Sequence, residues 1–290
     1  MRRRIPSLLI VLAVATLFSS CKGRESGAPA EEETTEITIS REPDILSFVD
    51  AHGNVYEMSI DPDIAANPYD DSNFVRDGDR LSYEDDEYTS RTGVDVSYYQ
   101  GEIDWEKVSA SGMEFAILRI GYRGYGTKGS LNPDATFQDN LEGAKQAGLD
   151  VGVYFFSQAV NEEEALEEAQ FVLEMLDGEA LELPIVFDPE HISDTQARTD
   201  SVSAEQFTRN AAVFCAAVED AGYEAMIYSN MVWEAYWLDL KELADYPVWY
   251  ADYEPLPQTP YAFAIWQYTE SGSVDGIEGN VDLNLQMLRK

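Results

Sequence analysis

Residues 151–190 read VGVYFFSQAVNEEEALEEAQFVLEMLDGEALELPIVFDPE, and this stretch sets the fold class. Val151–Ser157 and Leu183–Asp188 are near-continuous apolar runs of strand length. Between them Asn161, with Glu164 three residues later, forms the capping box of a helix. Ala165, Ala169, Val172, Leu173 and Leu176 then keep to one helical face. A strand buried on both sides, an amphipathic helix and a second such strand form one unit of a parallel sheet covered by helices.

The same alternation extends in both directions. Further apolar runs occupy Gly93–Ser97, Phe115–Gly121, Ala225–Ser229, Val248–Ala251 and Ala262–Tyr268, with a weak last one near Val281–Leu283. One helix carries Phe137, Leu141 and Ala144 and stops at Gly148; another opens at Ser203 with Gln206 and runs through Phe207, Ala211, Phe214 and Val218 to Gly222. After Ser229 the runs lie too close together for full helices. The expected fold is α/β: a modified (β/α) barrel over residues 93–290 with degenerate, helix-poor final units. No GxGxxG follows the first strand, which argues against a dinucleotide-binding sheet.

Residues 1–21 read as a targeting segment. Arg2, Arg3 and Arg4 precede a short apolar run from Leu8 to Phe18, below the roughly 20 residues that span a bilayer. The run ends in Leu17-Phe18-Ser19-Ser20-Cys21, which resembles a bacterial lipoprotein signal with Cys21 as the lipidated residue; a plain secretion signal is the alternative. The other cysteine, Cys215, falls within a helical pattern and reads as a small buried hydrophobe. Residues 22–92 carry six Lys/Arg against 19 Asp/Glu and read as an acidic stalk. Within them Ile45–Asp50 and Asn54–Ile60 alternate as a hairpin would, and the rest fits either an ordered strap on the main domain or a solvated stalk.

A net charge of −36 excludes nucleic acid as a partner, since a phosphate backbone needs a basic footprint. A neutral or weakly charged ligand such as a sugar fits better. His52 and His191 have no cysteine partners and no HExxH spacing, so no metal site is expected, and neither GxSxG nor GxxxxGK[ST] occurs.

Catalytic groups of such barrels sit at the C-terminal strand ends. The acids there are Asp95, the pair Asp188 and Glu190, Asp252, and Asp282 in the last run. Asp188-Pro189-Glu190 stands out because residues two apart on an extended segment point to the same side. Two facing carboxyls hold a proton near neutral pH, as glycoside hydrolysis requires; the plainer alternative is a pair of solvated loop acids. Tyr98, Tyr154, Trp249, Tyr250, Trp266 and Tyr268 lie in or next to strands, where they can stack on sugar faces or simply pack the core.

Gly93-Val94-Asp95-Val96-Ser97 with Gln100 and Ile103-Asp104-Trp105 resembles the opening of family 25 glycoside hydrolases, the Chalaropsis-type lysozymes. Phe115–Gly121 with Arg119, Gly152-Val153-Tyr154-Phe155, the Asp188/Glu190 pair, Trp249-Tyr250-Ala251, Trp266-Gln267-Tyr268 and Val281-Asp282 continue the resemblance in order across residues 91–288. It implies a β/α barrel whose later strands lack helices, and cleavage of the β-1,4 bond between N-acetylmuramic acid and N-acetylglucosamine in peptidoglycan. By position, Glu190 would be the general acid, Asp188 would assist the substrate's N-acetyl group or the cationic centre, and Asp95 and Asp282 would complete the acidic floor. No metal or organic cofactor is implied. With the signal segment, the expected setting is the outer face of the cytoplasmic membrane, through a lipid anchor on Cys21, or secretion. Competing expectations are a non-catalytic wall-glycan-binding surface protein and a hydrolase of another N-acetylated polymer such as chitin.

Overall fold

The computed structural model describes residues 44–194 and 196–290. The signal-like segment with Cys21, and residues 22–43, lie outside them. In chain order come β1 (Ile45–Val49) and β2 (Val55–Ser59), an antiparallel hairpin, and β3 (Phe74–Asp77) and β4 (Arg80–Tyr83), a second one. Then follow β5 (Tyr88–Val96), α1 (Trp105–Ala110), β6 (Phe115–Arg123), β7 (Leu131–Pro133), α2 (Phe137–Gln146) and β8 (Asp150–Ser157). Next are α3 (Glu162–Leu176), β9 (Ile185–Pro189), α4 (Ala204–Asp220), β10 (Ala225–Asn230) and α5 (Met231–Tyr236). Last come β11 (Val248–Ala251), β12 (Ile265–Gly272) and β13 (Val281–Arg289).

Eight strands close into a barrel in the order β5, β6, β8, β9, β10, β11, β12, β13, with β13 pairing back to β5 and β7 added along β6. Neighbours from β5 round to β12 run parallel. β13 is antiparallel to both β12 and β5, so its first residues lie at the end of the barrel where the other strands finish. Each of the eight apolar runs is a barrel strand, and the first begins at Tyr88, five residues before the expected domain start at Gly93.

The helices start and stop where their caps dictate. Asn161 accepts a hydrogen bond from the Glu164 N–H at 3.0 Å, and α3 ends on Asp177 in the left-handed region, followed by Gly178 at φ 80°. Ser203 caps α4 by accepting from Gln206 N–H. Cys215 is buried on that helix as a free thiol. After β10 only the six-residue α5 remains, and no helix separates β11, β12 and β13.

That shortage of helices leaves the outer faces of the last strands bare, and residues 44–87 cover them. Phe74 packs edge-on to Trp266 at 5.4 Å and Tyr69 against Phe263 at 4.9 Å, while the Arg76 guanidinium lies 5.6 Å from the Tyr268 ring centre. The Tyr69 hydroxyl donates to the Phe263 carbonyl at 2.8 Å. Ala66 forms a β-bridge with Tyr261. The stalk reading therefore does not hold for the described part: 44–87 is a strap that replaces the missing helices, and its acidic residues face solvent around a few aromatic anchors. Truncating one such contact tests this directly. Trp266→Ala should lower stability by about 3–5 kcal/mol in urea unfolding, the usual cost of deleting a fully buried large aromatic. Activity per folded molecule should change far less.

Candidate active site

Alternation along each strand decides which side chains reach the barrel mouth. In β9, Val186 faces the interior and Phe187 packs outward on Phe214 of α4, so Asp188 returns to the interior and Glu190 follows it past the strand end. The same parity sends Asp95, Arg119, Tyr154, Tyr228, Gln267 and Asn284 inward above an apolar plug of Phe115, Ile117, Val186, Met226, Trp249 and Ile265. Asp282 arrives at the same end because β13 runs in reverse; it sits directly across from Asp95 in the β13–β5 register.

Asp95 is the most tightly held acid. Its Oδ1 accepts from Asn284 Nδ2 at 2.8 Å and Gln267 Nε2 at 2.9 Å. Both amides are themselves oriented: Asn284 Oδ1 accepts from the Trp249 indole N–H at 2.8 Å, and Gln267 Oε1 accepts from the hydroxyls of Tyr228 (3.1 Å) and Tyr253 (3.0 Å). Asp282 lies directly across from Asp95 and shares a hydrogen bond with it. Asp188 is buried, and its Oδ1 has no hydrogen-bond partner among the described residues.

Burial raises all four acids, and repulsion from neighbouring carboxyls adds to it for Asp188, Glu190 and Asp282. Burial pushes the Glu190 carboxyl up to about 7, the Asp95 charge adding to it while a hydrogen bond with Tyr228 opposes it. Burial, then Glu190 and Asp95, hold Asp188 well above the ordinary carboxylate range, with Arg119 opposing. Asp282 is pushed up to about 9 by burial and then by Asp95. The Arg119 guanidinium beside this group donates from Nε to Asp134 Oδ2 at 2.8 Å and lies under the rings of Tyr98, Tyr99 and Tyr122 at 5.0–5.4 Å. A cleft of about 540 Å³ opens from the mouth, lined by Glu190, Tyr228, His191, Trp233 and Tyr253 among others.

The family model for glycosyl hydrolases family 25 matches residues 94–277. The chain belongs to that family. It is 28% identical over 193 residues to the autolytic lysozyme of Clostridium acetobutylicum, covering 66% of this chain but only 54% of that enzyme. Lysozyme M1 of Streptomyces globisporus is 28% identical over 214 residues, 66% of either chain. In fold, the modular autolysin LytC of Streptococcus pneumoniae, solved in complex with a synthetic peptidoglycan ligand, matches with a TM-score of 0.61 at 21% identity, over 82% of this chain and 56% of LytC.

In this family 25 chain the acids Asp95, Asp188, Glu190 and Asp282 meet at one mouth, and Tyr98 and Tyr154 lie beside them. The other aromatics singled out in the sequence do not reach it. Tyr250, Trp266 and Tyr268 point outward and are fully buried beneath the strap, because they hold the opposite strand parity from Ala251 and Gln267. Trp249 is interior but sealed below the mouth, where its N–H fixes Asn284. Asp252 is also not a free acid: its carboxylate accepts from the Tyr250 hydroxyl at 2.7 Å and from Gln258 N–H at 2.9 Å. His191 stacks on Trp233 at 4.9 Å on the cleft side. Gln267, Asn284, Tyr228 and Tyr253 went unread in the sequence; strand parity alone would have found the first three, since Gln267 alternates with the two outward aromatics that drew attention.

Proposed function

We propose that this family 25 enzyme hydrolyses the β-1,4 bond between N-acetylmuramic acid and N-acetylglucosamine in peptidoglycan. The carrying observation is the Asp188/Glu190 pair at the end of β9, with Asp188 buried and Glu190 lining the cleft and holding its proton up to about pH 7. Glu190 gives that proton to the glycosidic oxygen as the bond from the sugar's C1 breaks, the electron pair leaving with the oxygen. Asp188 serves the positive charge that develops at C1, either directly or by accepting the N–H of the substrate's own N-acetyl group as its carbonyl oxygen closes on C1. The open, buried Asp188 Oδ1 supports that role, because a lone buried acceptor is costly until a donor arrives. Water then adds at C1 and its proton returns to Glu190. Asp95 and Asp282, paired across β5 and β13, form the floor beneath that centre.

The pH–rate profile tests this. A proton donor works in its protonated form, so kcat should hold at mildly acidic pH and fall as pH rises through about 7. A rate that climbs steadily from pH 6 to 8 would remove Glu190 from the donor role. The LytC complex with a peptidoglycan ligand and the two lysozymes support the substrate. The setting we infer is extracytoplasmic, with the chain tethered to the outer face of the membrane by a lipid on Cys21; the supporting feature is the basic and apolar run ending in Ser19-Ser20-Cys21.

A further inference from the structure

The cleft beside Glu190 is not built by the family domain alone. Part of its lining is the turn of the first hairpin, Val49 to Gly53, some forty residues before the family match begins. This turn is rigid. The Asp50 carboxylate accepts from the backbone N–H groups of His52 and Asn54, both at 2.9 Å, and from the Asn54 side chain at 2.8 Å. Gly53 takes φ 78°, a conformation open to glycine, and its N–H donates to the Asp50 carbonyl.

The turn is also locked to the barrel. Val49 N–H donates to Gln258 Oε1 and Gln258 Nε2 donates to the Val49 carbonyl, each at 2.9 Å. Gln258 N–H is in turn held by Asp252 at the end of β11. On the far strand, the Tyr236 hydroxyl donates to the Glu57 carbonyl at 2.7 Å. A tip braced by these bonds, fixed against the strand end that carries Tyr253, presents the exposed Ala51, His52 and Gly53 to the cleft at little ordering cost.

We propose that the Asp50–Gly53 turn is a wall of a sugar subsite next to Glu190, supplied by chain outside the family domain, and that it holds a neutral N-acetylhexosamine unit of the glycan strand beyond the scissile bond. The charge on the lining selects neutrality: Asp50, Asp252, Glu254 and Glu270 line the cleft and, among the described residues, no Lys or Arg does, so a unit bearing a carboxylate is repelled there. The inference rests on the muramidase reading and adds to it where strand length is sensed.

The test is steady-state kinetics on a length series of purified, peptide-free glycan fragments with wild type, Ala51→Trp and His52→Trp. Both positions are exposed on the turn, and two variants guard against one that fails to fold. Filling the cleft should raise KM about ten-fold on fragments long enough to reach it, a loss of about 1.4 kcal/mol in binding, with kcat moving less than two-fold. The same substitutions should move the preferred cut position along the fragment. If both folded variants keep the wild-type KM at every length, or lose kcat with KM fixed, the turn is no subsite wall while the muramidase reading stands. A folded wild type that cuts none of the fragments overturns both.

Discussion

Glu190→Gln is expected to lower kcat on peptidoglycan by about 10³-fold while the protein stays folded. Glutamine keeps the shape and the hydrogen-bonding capacity of the side chain, including the reach to Tyr228, and loses only the transferable proton. KM should change little, because the removed interaction matters when the glycosidic bond is breaking. The pH dependence is the sharper readout. The wild-type limb near pH 7 comes from a carboxyl raised by burial, so whatever rate remains in the variant should lack that limb. A variant with the wild-type rate and profile would mean that another group gives the proton.

Asp188→Asn should cost about 10²-fold in kcat. The substitution leaves a buried amide where the cationic centre needs an anion or the N-acetyl N–H needs an acceptor. The Glu190 limb should stay near pH 7, because burial and then Asp95, not Asp188, raise that carboxyl. A loss of about a hundred-fold in kcat with the limb in place separates a partner of the charged centre from a merely structural residue. A ten-fold or smaller rate loss would limit Asp188 to packing.

The barrel was legible because buried parallel strands are apolar on both faces and their helices announce their ends. Asn161, Ser203 and Gly222 mark helix limits that the folded chain respects. The same property hid the site's inner shell. With both faces of a strand buried, Trp266 and Tyr268 look as eligible for the mouth as Gln267, and only the parity relative to Ile265 assigns them to the outer layer. The direction of β13 was also out of reach: a parallel last strand would carry Asp282 to the opposite end of the barrel, and pairing across 187 positions with Asp95 is a long-range fact. The strap failed as a sequence signal for a related reason. Tyr69, Phe74 and Tyr83 are spaced irregularly among acids, and their partners Phe263 and Trp266 lie nearly two hundred residues on. Local pattern reports how a segment folds with itself, and this one folds only against the barrel.

The most direct test of this chemistry is the identity of the new reducing ends after purified peptidoglycan is digested and the products are reduced with borohydride. Wild type should give reduced N-acetylmuramic acid as the new end, and Glu190→Gln none above background. New ends of N-acetylglucosamine, or release of equal amounts by the variant, would contradict it.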